Sequence, residues 1–511
     1  LIGVGDAGGL RQIPANLIDK VEVITNPSAR YEAQGMTGII NIVLKKDQQT
    51  GLNGTFDFSV GYPENYGAAI NLNYRRKKMN LFANYGVYYR TNPGSGGLYQ
   101  ETYRNDSTFI LEESRTHNRG GLSNSFRFGS DFFFNPKNTL TASLSYRLSD
   151  EQNKYELEYR DYLFDLDNFL GSSLREDQEQ EDEMDREYSV NYKKTFSSDK
   201  HYLTVDLQHE QNRQVESSEI TENFYDTESN PTGAPALQQR SSNDEGFQRW
   251  LLRADYVHPI GKEKEGKFEL GWQSGLRTVE NSYLVEEFND VEWVPLAAFS
   301  NDFNYEEEIH AGYGIIGNKT GNFSYQAGLR LEYTGIRTEL LQTGEVNPRD
   351  YTNLFPSGHL TYEFKDQNSL QLSYSRRISR PRFRHLNPFF SYTNSRNFWS
   401  GNPNLDPEFS DVVEFQHLKY WEKASLSSSI YYRQTQGVIE RVRLILDEEA
   451  GTTIGLPINL STEDAYGLEF TYSYNPLKWF RLNGDFNFFR ALRYGVYEEQ
   501  VFEADTYTWF T

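Results

Sequence analysis

The sequence predicts an all-β membrane barrel: a large antiparallel transmembrane β-barrel. Three observations point to it. Apolar and polar residues alternate with period two over strand-length segments. Short polar turns also alternate with long connections. Finally, no run of about eighteen apolar residues offers a membrane-spanning helix.

The alternation is clearest at Phe323–Tyr333. Phe323, Tyr325, Ala327, Leu329, Leu331 and Tyr333 share one face, while Ser324, Gln326, Gly328, Arg330 and Glu332 share the other. Leu140, Ala142, Leu144, Tyr146 and Leu148 repeat the pattern, as do Tyr466, Leu468, Phe470, Tyr472 and Tyr474. A strand of about 10 residues, tilted about 45°, crosses a bilayer core, and these segments have that length. Leu329 and Leu331 are therefore expected to face lipid.

Short turns are expected at Arg75–Lys78, Asn135–Asn138, Ser197–Lys200, Pro259–Gly266, Gly317–Asn322, Lys365–Asn368, Trp421–Lys423 and Asn475–Lys478. Long loops are expected at Thr91–His117, Ser149–Arg186, Gln211–Glu245, Val279–Tyr305 and Arg376–Ser410. Short turns on one rim and long loops on the other are the habit of outer-membrane barrels. The count comes to about eighteen strands. A propeller would repeat a motif every forty or so residues, and none is present.

Composition narrows the function. The chain has 511 residues, no cysteine and a formal charge of −22. Without cysteine there is no disulfide framework or thiolate metal site, and the acidic balance argues against a nucleic-acid partner. Enzyme signatures are missing: there is no GxSxG elbow, and His209-Glu210 is followed by Gln-Asn-Arg rather than by a second histidine. Gly3-Val4-Gly5-Asp6-Ala7-Gly8 matches GxGxxG but lacks the preceding strand of a dinucleotide site, and it is read as a loop. No enzyme activity, cofactor or metal is expected.

Two regions carry a family resemblance. Asn26-Pro27-Ser28-Ala29, Tyr31-Glu32 and Gly38-Ile39-Ile40-Asn41-Ile42 resemble the end of the plug domain of TonB-dependent outer-membrane receptors. Asn26 and Glu32 stand where that family usually has glycine, which suits its divergent outer-membrane β-barrel subfamily. The succession Leu370–Pro381, Leu386-Asn387-Pro388-Phe389 and Gly401–Glu408 is similar to the mid-barrel signature of that subfamily.

The resemblance implies residues 1–46 as the C-terminal part of a plug and 47–511 as the barrel. It marks Pro27, Ser28, Tyr31, Gly38 and Asn41 as plug motif residues. It further implies a barrel of about twenty-two strands, so that the start of the plug, the TonB box and about four strands would lie outside this chain. The implied setting is integral in the cell outer membrane. The implied activity is import of a scarce solute, glycan or peptide through a plug-gated barrel, with the TonB complex as the energy-transducing partner. The alternative is a non-transporting barrel that docks a surface lipoprotein.

Arg376, Arg377, Arg380, Arg382 and Arg384 form a basic cluster in an acidic chain. Guanidinium forks could grip a substrate carboxylate or phosphate, or they could pair with acidic plug and loop residues. Tyr392, Phe398 and Trp399 could stack on a ligand or simply pack the loop. The acidic run Glu176–Asp185 lacks the spacing of a calcium loop and is expected to be a solvated loop.

Overall fold

The structure, a computed structural model, describes residues 18–24, 26–35, 39–44, 50–104, 107–261, 265–388, 396–447, 452–497 and 499–511. A hairpin of β1 (Ile18–Ile24) and β2 (Ile39–Leu44) forms a separate two-stranded sheet. Then follow β3 (Gly51–Gly61), β4 (Asn65–Arg76), β5 (Met79–Arg104), β6 (Ser107–Asn135), β7 (Asn138–Leu163), β8 (Phe169–Thr195), β9 (Tyr202–Tyr225) and β10 (Leu237–Ile260). After these come β11 (Gly266–Phe288), β12 (Trp293–Pro295), β13 (Asn301–Thr320), β14 (Phe323–Leu340), β15 (Glu345–Phe364), β16 (Asn368–Ser379) and the one-turn helix α1 (Phe383–Leu386). The chain ends with β17 (Asn397–Trp399), β18 (Glu408–Trp421), β19 (Ala424–Asp447), β20 (Thr452–Leu477), β21 (Phe480–Tyr497) and β22 (Gln500–Phe510).

The twenty strands β3 to β22 include two three-residue strands, β12 and β17, which leaves eighteen long ones. Each long strand pairs antiparallel with its sequence neighbour along one continuous wall, and the strand order of that sheet is circular, with β3 next to β22. Eighteen long strands lie within this chain, the number counted from the sequence. A ring of 16–18 strands is already wide enough to hold an aqueous channel. Every residue of β22 is exposed.

Lipid imposes the alternation. Leu329 is 50% exposed on the outer face of β14, whereas its neighbour Arg330 is 1% exposed on the inner face. The predicted register of this strand is therefore the observed one. Exposed aromatics flank the short turns, among them Phe323 and Tyr325, Tyr362 and Phe364, Tyr472 and Tyr474, and Trp479 and Phe480. This is the interfacial girdle of a membrane barrel.

The predicted long loops are corrected by the structure. Ser149–Arg186 is mostly β-ladder, since β7 and β8 pair from Asn138↔Lys194 to Tyr162↔Phe169. Thr91–His117 and Gln211–Glu245 are likewise largely paired strand. At about 3.3 Å per residue, the 29 residues of β6 extend about 95 Å. A tilted crossing of the bilayer core needs only about 42 Å, so the wall continues far beyond the membrane. The sheet persists there because every backbone donor and acceptor is still paired across the ladder.

Candidate functional site

The inner wall holds two features: a docked luminal segment and, toward the long-hairpin rim, an acidic cavity. The segment is Asn26–Gly35. Pro27 is buried, and Ala29 approaches β14 so closely that a Cβ on Gly328 would lie 2.9 Å from the Ala29 Cβ. Only glycine fits there.

Polar bonds fix this segment to many strands. Asn26 Nδ2 donates to Ser373 Oγ and to Glu414 Oε2, both at 2.8 Å, and Ser375 Oγ donates to Asn26 Oδ1 at 2.8 Å. The Ala29 amide donates to Ser357 Oγ at 3.1 Å. Arg30 lies 3.6 Å from both Asp255 and Glu269 and donates to Tyr202 Oη at 3.1 Å. Gln34 forms a parallel bridge with Ile378, closed by the bonds Gly35 N to Ile378 O at 2.9 Å and Ile378 N to Ala33 O at 3.0 Å. The segment is in effect a short extra strand laid against β16.

The five arginines part company. Arg376 and Arg377 are adjacent on a strand and so face opposite sides. Arg377 points inward and donates to Gly35 O at 2.9 Å and Gln34 O at 2.8 Å. Arg376 instead lies over the Phe409 ring, 5.4 Å from its centroid. Arg380 donates to Glu332 Oε2 at 2.6 Å, Thr334 Oγ1 at 3.0 Å and Gln34 Oε1 at 3.1 Å. Arg382 precedes α1, its carbonyl accepting from the His385 amide at 2.8 Å. Arg384 alone of the five lines the acidic cavity.

The aromatics divide similarly. Phe398 packs on Phe299 with ring centroids 5.5 Å apart, and Trp399 lines the cavity. Tyr392 and Gly38 lie outside the described residues, as does the glycine-rich run Gly3–Gly8. Tyr31 is half-buried beside the anchored residues, and its amide donates to Ser28 O at 3.1 Å. Asn41 pairs with Glu22 within the β1–β2 ladder.

The loop after β16 folds inward. Phe383, Leu386 and Leu405 pack with Val279, Phe303, Tyr305 and Ile336 in one buried cluster. This loop walls a cavity of about 510 Å³ whose opposite side is the inner face of β6 to β11 with the start of β13. Its acidic members were the surprise: Asp177, Glu179 and Glu181, read from the sequence as a solvated loop, sit on β8 and line the cavity. Glu181 registers with Glu151, three residues past the lipid-facing Leu148, so these carboxylates lie beyond the membrane belt. Burial, and then the Glu179 charge, pushes the Asp177 carboxyl up to about 6. Burial, followed by Glu216 and Glu151, pushes Glu181 up to about 7. A period-two signal was available: alternate residues Arg175, Asp177, Glu179, Glu181 and Glu183 are the better-buried set.

The sequence profile of the Outer membrane protein beta-barrel family matches residues 194–511, more than half of the chain. The chain belongs to that family. No curated protein matches it in sequence. Its fold is that of TonB-dependent outer-membrane receptors. The alcaligin outer-membrane receptor FauA of Bordetella pertussis superposes with a TM-score of 0.52 at 11% identity, over 97% of this chain and 77% of that one. The copper transporter OprC gives 0.55 at 11% identity, over 93% and 66%. FpvA of P. aeruginosa, bound to pyoverdines, gives 0.54 at 11% identity, over 97% and 69%. This member of the family is accordingly an integral outer-membrane barrel.

Proposed function

We propose that this protein is a TonB-dependent receptor that imports a solute, with residues 1–46 forming part of the plug that gates the barrel. The observation that carries this reading is the docking of Asn26–Gly35 on the inner wall. Its contacts reach β9, β10, β11, β14, β15, β16 and β18, and most are hydrogen bonds or ion pairs. A polar seam of this kind holds a segment in place, and water can replace its bonds one by one when the segment is pulled. An apolar seam offers no such exchange. Energy would come from the TonB complex. The solutes named for FauA, OprC and FpvA belong to those proteins.

A second reading, a static barrel that docks a surface lipoprotein, is favoured by the inward-folded loop, which also fills part of the lumen. Planar-bilayer recordings separate the two. On the gated reading, deleting residues 1–46 opens a large permanent conductance while the undeleted protein conducts almost nothing. Equal, low conductance from both would overturn the gate and leave the loop as the closure.

A further inference from the structure

We infer that the acidic cavity takes an organic polycation, a solute carrying several ammonium groups spaced along an extended backbone. This inference deepens the receptor reading above and rests on it for the direction of transport, though not for binding.

The charge is lopsided. Glu151, Asp177, Glu179, Glu181, Glu216 and Glu245 line the cavity against only Arg119 and Arg384. Acidity alone does not make a site, but several of the residues that line it carry deeply buried polar atoms without a partner. Asn301 is 2% exposed, and neither its Oδ1 nor its Nδ2 is bonded. Asp177, 1% exposed, has Oδ1 unbonded, and Asn153, 5% exposed, likewise has Oδ1 unbonded. Buried polar atoms are rarely left so in a finished interior. Three of these four unbonded atoms are acceptor oxygens, which suits a ligand rich in N–H donors.

The arrangement also says what kind of cation. Carboxamides separate the carboxylates into a ladder. Gln214 Nε2 bridges Glu181 Oε1 at 2.7 Å and Glu216 Oε1 at 2.6 Å; Asn243 Nδ2 reaches Glu216 Oε2 at 3.1 Å; Asn281 Nδ2 reaches Asn243 Oδ1 at 2.6 Å. On the next strand Asn153 Nδ2 holds Glu179 Oε1 at 2.7 Å. Among the described residues no group of three acidic or histidine side chains converges as a metal shell would. Strands lie about 4.8 Å apart, so charges on the ligand would sit about 5–10 Å apart to meet successive carboxylates. The aromatic lining adds faces for cations: Arg119, itself in the lining, lies 5.1 Å above Tyr155, and Arg441 of β19 lies 5.5 Å above Trp399. An anionic chelate would meet repulsion from the same wall.

Isothermal titration of the purified full chain with spermine, trilysine, triglutamate, maltotriose and calcium chloride tests this. Spermine and trilysine should bind, about tenfold more weakly when ionic strength rises from about 0.02 to 0.2 M. Triglutamate should not bind. The triple variant Glu179→Gln, Glu181→Gln, Glu216→Gln should lose at least about tenfold in affinity, and it should fold, because it removes mutual repulsion and keeps the side-chain lengths. Glu228→Gln, at an exposed hairpin tip, should change nothing. Binding of maltotriose or triglutamate in place of the polycations, saturation by calcium alone, or an unaltered triple variant would overturn the inference. Because binding is read without transport, a gate that fails in the bilayer leaves this result standing, and the reverse holds too.

Discussion

Removing the carboxylate of Glu332 should be the most damaging single change on the inner wall. Glu332 Oε1 accepts from Arg330 Nε at 2.6 Å, and Oε2 accepts from Arg380 Nη2 at 2.6 Å. All three side chains are buried. Hydrogen bonds to charged groups are worth about 1.5–3 kcal/mol each, which for two gives roughly 3–6 kcal/mol. Breaking buried ion pairs by deleting one partner costs about 3–5 kcal/mol, so the two routes agree. Glu332→Ala leaves two like-charged guanidiniums facing each other and should cost about 3–5 kcal/mol in urea unfolding from lipid vesicles. Arg380→Met, which spares the Arg330 bond, should cost less. Combining Glu332→Ala with Arg380→Met should reveal a coupling of about 1–3 kcal/mol. The luminal segment shares these partners, since the Ala33 amide donates to Glu332 Oε1 at 3.4 Å and Arg380 holds Gln34. Tryptic cleavage after Arg30 should therefore speed up in Glu332→Ala. A loss under about 1 kcal/mol, the value of an exposed pair, with cleavage unchanged, would refute the argument.

Three further outcomes are expected. Lys137→Cys, in a short turn, should resist an impermeant maleimide on intact cells, while Leu166→Cys at the β7–β8 hairpin tip should label; the opposite result would invert the barrel. Leu329→Arg, on the lipid face, should destabilise the barrel by about 2–4 kcal/mol, and Gln326→Arg on the inner face by less; the reverse ranking in heat-modifiability would refute the strand register. The carboxyls of Asp177 and Glu181, raised to about 6 and about 7, hold protons in the folded protein that the unfolded chain has already released. Stability then falls as pH rises from about 4 to 7, so hydrogen exchange in the β8–β9 hairpin should slow when pH drops from about 7.5 to 5.5 after correction for intrinsic rates. Faster corrected exchange at the lower pH would contradict these shifts.

How much of this was legible in the sequence depends on which solvent each strand meets. At membrane depth one face meets hydrocarbon, so Phe323–Tyr333 had to alternate and its register could be read directly. Beyond the membrane both faces meet water or other polar side chains, and the alternation that marks a strand fades. The stretch Arg175–Asp185 shows this well. Ionisable and amide residues occupy both faces there, so composition suggested a loop although the backbone continues the ladder to Phe169↔Tyr162.

The basic cluster shows why the site was harder still. Five arginines within nine residues look like one patch, yet a strand sends neighbours to opposite faces, and the chain leaves the strand at Ser379. Only Arg377 and Arg380 reach the luminal segment, and only Arg384 reaches the cavity. Their acidic partners come from strands far away in sequence: Glu332 for Arg380, and Glu245 as the charge facing Arg384. A barrel brings such residues together through the stagger of many strands, which no local spacing encodes. The same closure turns a run of acids on one hairpin into the wall of a cavity.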